Sequence, residues 1–477
     1  MYDCIIVGAG VNGTFIAHDL SKYNLKTLVI EAENDVGDVT SCANSAIVHS
    51  GYDPHYWTLK AKLNVRGNQM YDQICQDLDV EFERIGSLTL AFTDEETQAI
   101  GHLVANAKKN GVEVSVLEPE EILRLEPFVT KNVKKAILAP SAGIINPFEL
   151  CVALMENAMD NGVELRLNEK VTGINKTSGS FSVVTDKSTY QTQTVINAAG
   201  LYADEINNFV SERKTEIIPR KGEYYVLDHF PEPFVSHVLF TIPTDIGKGV
   251  LITPTTSHNY MFGPSSDFIA DKNDLSTNKE VLDRVLAAAT KMVENIPMNR
   301  VIREFAGLRA YHESNDFVIN EKDGFINVLG MQSPGLASAP ATAELVLDLI
   351  SRTLALNPKT NYNPKRRPLY RLNQRTPEER NAVIAKDSRF GNMVCRCEKV
   401  SEGEVVDAIH RNCGATSVKG IKKRLRPGSG KCQGGFCEPL IMGILARELK
   451  KEIKDLRYDS SGAYILLEKT KGSDCHD

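Results

Sequence analysis

Apolar and polar positions define the first element within thirty residues. In "YDCIIVGAGVNGTFIAHDLSKYNLKTLVIE" (2–31) an apolar run, Cys4 to Val7, ends in Gly8-Ala-Gly10-Val-Asn-Gly13. A helical spacing follows, then a second apolar run, Thr27 to Ile30, closed by Glu31. That pattern predicts a βαβ unit. Residues 163–200 hold the alternating runs "VELRLNEKVTGI", "SFSVVTD" and "STYQTQTVINAAG", which predict a small meander and then a strand ending at Gly200. "EYYVLDHF" and "GVLITPT" read as strands, and "TNKEVLDRVLAAATKMVENI" as an amphipathic helix. In 325–350 a strand, a Gly/Ser/Pro loop and a helix succeed one another, with the helix capped near Ser338 and Pro340 in its first turn. Residues 355–394 are polar and rich in Arg and Asn, which predicts a surface linker with one short helix. Beyond it, "SEGEVVDAIHRN" reads as a capped amphipathic helix and "SVKGIKKRL" as a shorter one.

The glycine turn carries the first chemistry. Gly8 allows the tight turn, Gly10 lets a pyrophosphate approach the backbone, and Gly13 lets helix and strand pack closely. The helix N-terminus favours the anion, and Glu31 at the end of the second strand is positioned for a ribose hydroxyl. The motif alone serves FAD or NAD. The segment "GDVTSCANSAIVHSGYD" (37–53), with Ser41, Asn44 and Ser45, is either a surface loop or a cover that offers donors to a flavin. A glycine after an apolar strand, as at Gly200, permits close approach to a ligand. The helix beginning near Ser338 can direct its N-terminus at a flavin's pyrimidine end. In this order the pieces favour FAD.

Composition narrows the class. The chain has 477 residues, 42% hydrophobic and 25% charged, enough for two or three domains. A net charge of −7 argues against nucleic-acid binding. No apolar run approaches the ~18 residues of a spanning helix, and the first strand begins too early for a signal peptide. The expected compartment is cytoplasmic, with a peripheral membrane contact left open. Of ten cysteines, six are scattered: Cys4, Cys42, Cys75, Cys151 and Cys413 read as small core residues, and Cys475 lies in the tail. Cys395, Cys397, Cys432 and Cys437 cluster, which in a cytosolic chain favours metal or redox chemistry over disulfides.

The glycine motif at 8–13, "SCANSAIVHSGY", "VINAAGLYAD", "FAGLRAY" and "GMQSPGLASAPA" together resemble the D-amino-acid-oxidase superfamily of FAD enzymes. Within it they resemble most the glycerol-3-phosphate dehydrogenase and L-2-hydroxyglutarate oxidase group. "GKGVLITPT" and "YMFGPSSD" lean toward the glycerol-3-phosphate members. The resemblance implies an α/β chain with a discontinuous Rossmann-like FAD-binding domain (1–80, 140–215 and 320–355). An antiparallel-sheet substrate domain (81–139 and 216–319) covers it. It implies backbone or side-chain contacts to FAD from Gly8, Gly10, Gly13, Glu31, Ser41, Asn44, Ser45, Val171, Gly200, Gly330, Gly335, Leu336, Ala337 and Ser338.

Oxidising a secondary alcohol with a flavin moves a hydride to the flavin and removes the hydroxyl proton, and histidine is suited to take that proton. By resemblance His49 is this base and Arg309 the clamp on the anionic end of the substrate. Lys248, Lys221 and Arg303 are further candidate cations. A phosphate wants a second cation, which a monocarboxylate does not.

The tail reads CxC, helix–turn–helix, CxxxxC. Four thiolates hold a 2Fe–2S cluster or a zinc ion, and CxC brings two sulfurs closer than zinc knuckles do. The segment resembles the ferredoxin-like module of bacterioferritin-associated ferredoxin, which ends in CxxC. Here the last spacing is two residues longer. The expected small helical iron–sulfur domain spans 395–445, after a linker at 356–394 and before a tail at 446–477. Gly434 and Gly435 suit a loop whose N–H groups face cluster sulfurs. The basic run "KGIKKRLRPGSGK" (419–431) offsets cluster charge, faces an acidic partner or is simply solvated.

The expected activity is an FAD dehydrogenase for a small anionic secondary alcohol, preferably sn-glycerol 3-phosphate, that gives electrons through the cluster to a redox protein or second flavoprotein subunit. The alternatives are a 2-hydroxy-acid dehydrogenase or oxidase, an amine or amino-acid oxidising subunit, and a non-catalytic electron-transfer subunit.

Overall fold

The computed structural model describes residues 1–177, 179–243 and 249–468. Its first strand, Tyr2–Val7, lies between Thr27–Ile30 and Thr189–Asn197, all parallel, with Glu164–Arg166 and Phe325–Leu329 extending the same sheet on either side. The predicted meander, Val171–Thr177 and Ser180–Thr185, runs antiparallel onto the start of Thr189–Asn197. The glycine turn follows from steric demand. A Cβ at Gly13 would stand 1.9 Å from the Gly8 carbonyl oxygen, and Gly8 itself has φ +99° against the Ala198 carbonyl. The helix Val11–Leu20 is therefore seated directly on the turn and packs against Pro147–Asp160 and Gly335–Ile350.

Among the described residues a second sheet has nine strands. One edge of it is a long antiparallel ribbon, Ile218–Leu227 with Val301–Tyr311. The helix Lys279–Met292, capped by Asn278, buries Leu282, Val285, Ala289 and Met292 against it.

The helix after Phe325–Leu329 departs from expectation. It begins at Gly335, three residues before Ser338, and Pro340 is an interior residue. An interior proline removes the N–H that would bond the carbonyl four residues back. That carbonyl, Leu336 O, instead accepts from the Tyr71 hydroxyl at 2.5 Å.

The 356–394 segment is also more than a surface linker. Its short helix is Pro377–Lys386, but Arg366, Leu369 and Leu372 are buried. Arg366 Nε donates to Glu156 at 2.8 Å, and Arg411 Nε donates to the other oxygen of the same carboxylate at 2.6 Å. One buried carboxylate thus ties the segment and the C-terminal unit to the first sheet's helix layer.

The C-terminal unit is a two-stranded hairpin (Met393–Cys395, Val400–Ser401) and three helices, Glu402–His410, Val418–Leu425 and Glu438–Leu449. Ser401 and Glu404 form the expected capping box. Val405, Ile409, Ile421, Ile441 and Leu445 make its core. The last helix runs to Leu449, past 445, and 450–468 folds back: Asn34 Nδ2 donates to the Asp459 carbonyl at 2.6 Å. The unit docks on the first domain through the basic helix. Arg424 makes a two-pronged contact with Asp35 at 2.7 and 2.9 Å, and Lys423 Nζ lies 2.6 Å from Asp38. Among the described residues no helix is long and apolar enough to cross a membrane.

Candidate functional site

Two helix N-termini and one polar segment converge where the first sheet's strands end. Gly10 caps Val11–Leu20 with no side chain of its own. Ser41 Oγ fills the role from 30 residues on, accepting from Val11 N at 2.9 Å, and a Cβ at Gly10 would stand 3.1 Å from that oxygen. Glu31 turns its carboxylate to backbone, accepting from Ala9 N at 2.6 Å and Glu33 N at 2.9 Å. Burial still raises its pKa. Asn44 closes its own loop, donating to Thr40 O and Ser41 O and accepting from Ala46 N. Ser45 Oγ lies 3.1 Å from the Tyr224 hydroxyl, which joins the segment to the second sheet.

The remaining positions surround the same end of the sheet. Val171 packs in one apolar cluster with Val7 and Ile30. Gly200 (φ +55°) starts a short 3-10 turn, and Gly330 (φ +70°) turns the chain out of its strand. Gly335, Leu336, Ala337 and Ser338 form the first turn of their helix. Asn12 Oδ1, Ser50 Oγ and Ser338 Oγ are buried here without a hydrogen-bond partner among the described residues. Buried polar atoms are almost always satisfied. Orphans at two helix N-termini and beside His49 fit a polar cofactor, as does the glycine cradle.

The opposite wall is one face of the long ribbon. Residues opposite each other in an antiparallel pair share a face, so Arg220 and Arg309, Gly222 and Gly307, and Tyr224 and Phe305 line up in rows. Tyr224 and Phe305 stack at 4.6 Å. A Cβ at Gly307 would meet the Ala43 carbonyl at 1.9 Å, which shows how closely the 39–45 segment lies on this face. Arg309 reaches over Gly222 and donates to the Ser265 carbonyl at 2.6 Å. Burial lowers its pKa. His49 follows in the same segment. Its carbonyl accepts from Asn64 and Asn68, and its ring lies 5.7 Å from that of Phe240.

The other candidate cations are elsewhere. Lys221 points to the reverse face, where it pairs with Asp274 at 2.9 Å. Arg303 is exposed, further along its strand and close enough to Lys422 to help burial depress that amine to about 8. Lys248 lies outside the described residues. Arg220 and Tyr224, in contrast, face the site. Strand alternation in "PRKGEYY" separates Arg220 from Lys221, but only once one face has been anchored.

The four clustered cysteines meet as two pairs. Cys397 and Cys432 are 3.8 Å apart, sulfur to sulfur, and Cys395 interacts with Cys437. Among the described residues no three His, Cys, Asp or Glu close around a single metal ion. An all-thiol set in two pairs fits two bridged irons. The long CQGGFC spacing has a structural reason. The N–H groups of Gly434, Gly435 and Phe436 converge on the Cys432 sulfur, with Gly434 foremost in lowering its pKa. Successive N–H groups of this kind form an anion-binding nest. Gly434 has φ +92°, and a Cβ there would stand 2.1 Å from Glu438 Oε1. Gly434→Ala is expected to lower iron and acid-labile sulfide per chain by at least half, with FAD content unchanged. Full occupancy would remove the nest from the account.

The family described as FAD dependent oxidoreductase matches residues 3–349, and the family described as BFD-like [2Fe-2S] binding domain matches 393–447. A glycerol 3-phosphate dehydrogenase of Caloramator mitchellensis is 47% identical over 476 residues, covering 99% of both chains. A glycerol 3-phosphate oxidase of Mycoplasma genitalium is 33% identical, covering 76% of this chain and 97% of its own. Among solved structures, dithionite-reduced L-alpha-glycerophosphate oxidase from Mycoplasma pneumoniae with FAD bound superposes with a TM-score of 0.73. It is 30% identical and covers 76% of this chain and 98% of its own.

Proposed function

The chain belongs to the FAD dependent oxidoreductase family, with FAD and a 2Fe–2S cluster as its cofactors, and from that premise we propose that it oxidises sn-glycerol 3-phosphate to dihydroxyacetone phosphate. The observation that carries this reading is Arg309. It is a guanidinium held by a backbone carbonyl, without an ion-pair partner among the described residues, on the face that the 39–49 segment covers. A fixed guanidinium fork suits a phosphate.

In this reading FAD, when bound, would supply a hydride acceptor for the substrate's central carbon, and a cluster held by the tail would supply a one-electron outlet. Arg309 holds the phosphate and so fixes which carbon is presented. His49 takes the hydroxyl proton. Tyr224 and Ser45 brace the ribbon against the segment that carries His49. Gly8, Gly10, Gly13, Ser41 and the first turn at Gly335–Ser338 hold FAD, and Cys395, Cys397, Cys432 and Cys437 hold the cluster.

The two glycerol 3-phosphate oxidases match about three quarters of this chain, whereas the glycerol 3-phosphate dehydrogenase of Caloramator mitchellensis spans the tail as well. That supports electron exit to a protein acceptor through the C-terminal unit. Anaerobic bleaching of the flavin tests the substrate. Glycerol 3-phosphate is expected to reduce it, and L-2-hydroxyglutarate and amino acids are not. Faster reduction by L-2-hydroxyglutarate would replace the reading.

A further inference from the structure

We propose that Arg220 is a second phosphate-binding cation, at the outer end of a site whose inner end is Arg309. The proposal rests on the glycerol 3-phosphate reading and deepens it. Arg220 stands directly across the ribbon from Arg309. It is 8% exposed, donates through Nε to Ser266 Oγ at 2.7 Å, and lies 5.4 Å over the Phe268 ring. Phe268 in turn meets Tyr311 edge-on at 5.0 Å, which fixes the platform.

Like charges directly opposite on a sheet destabilise it, and a buried cation is normally paired. Here the hydrogen bonds go to neutral groups, Ser265 O and Ser266 Oγ. Neither arginine has an ion pair among the described residues. The nearby carboxylates are committed: Asp267 to Arg284 at 3.0 Å, and Asp274 to Lys221 on the reverse face. Among the described residues the other titratable groups on this face are the phenols of Tyr224 and Tyr311 and, further along the strand, the guanidinium of Arg303. Burial lowers both guanidinium pKa values, and Arg309 adds to the effect on Arg220. Two adjacent guanidiniums, neither ion-paired among the described residues and only Arg309 within electrostatic range of a carboxylate, that of Asp267, suit one compact dianion. A phosphate monoester supplies two charges, and a monocarboxylate supplies one.

The test uses the FAD-loaded enzyme and inorganic phosphate as the probe. Phosphate affinity is read from the flavin difference spectrum, and turnover from anaerobic dye reduction. For Arg220→Gln, phosphate affinity is expected to weaken about tenfold, as befits loss of one charge-assisted contact. The KM for glycerol 3-phosphate should rise by a similar factor, with a smaller change in kcat. Arg220→Lys should recover part of the affinity. Unchanged phosphate affinity in Arg220→Gln would overturn the inference. A wild-type enzyme that binds phosphate through Arg220 yet ignores glycerol 3-phosphate would overturn the substrate reading and leave the anion site standing.

Discussion

His49→Asn is expected to slow anaerobic flavin reduction by glycerol 3-phosphate by about 10²–10⁴-fold, the usual contribution of a positioned general base. Hydride departure leaves a carbonyl only if the hydroxyl proton goes somewhere. His49 lies in a segment that touches both the glycine-turn helix, through Ser41, and the arginine face, through Ala43 and Ser45. Its backbone is held independently of its ring, because Asn64 donates to its carbonyl at 2.7 Å and Asn68 at 3.0 Å. Asparagine should therefore keep the loop in register, FAD bound and KM nearly unchanged, while removing the proposed proton acceptor. Stopped-flow bleaching gives the rate. A variant within tenfold of wild type would mean that another group takes the proton.

The parts legible in the sequence are those whose signal is local. The glycine turn, the meander at 171–197 and the capping box at Ser401 are each written within a few residues, and sterics or hydrogen bonding leave little choice. Pro340 shows the limit. Its local preference for a first turn was overridden by a hydroxyl from Tyr71, 269 positions away. The cations show another. Lys221 and Arg220 are adjacent, and a one-residue difference on a strand exchanges faces. The glycines of CQGGFC did suggest N–H groups facing cluster sulfurs, but the spacing alone did not explain the two extra residues, nor that Gly434, Gly435 and Phe436 are aimed at the one sulfur of Cys432.

The docking of the iron–sulfur unit was the least legible, since it joins charges far apart in sequence. "KGIKKRL" fitted cluster compensation, an acidic partner or a solvated face equally well. Its acidic partner is the chain's own 35–38 stretch, just ahead of Ser41. The same helix thus borders the cofactor segment on one side and the cysteine unit on the other.

Arg424→Ala is therefore expected to uncouple the two units. Asp35 and Arg424 are both buried. Burial alone would push the Asp35 carboxyl up, but Arg424 holds it below its usual range. Its contribution to stability is thus present above the unfolded carboxylate pKa and lost as pH falls through the lower folded value. Near neutrality, removing the guanidinium leaves a charge uncompensated in the interface, and breaking such a pair costs about 3–5 kcal/mol. Lys423, 3.8 Å from Asp35 and already serving Asp38, offsets only part of this. Substrate should still bleach the flavin, because the arginine face is untouched, whereas reduction of the cluster by substrate should slow by at least tenfold. The double variant Asp35→Asn/Arg424→Met removes both charges and should restore much of the docking, since replacing a buried pair with neutral groups of similar size is often tolerated. Chemical unfolding measures the interface, and anaerobic spectra after substrate addition separate flavin from cluster. Unchanged unfolding and unchanged cluster reduction in Arg424→Ala would show that this ion pair does not hold the two redox centres together.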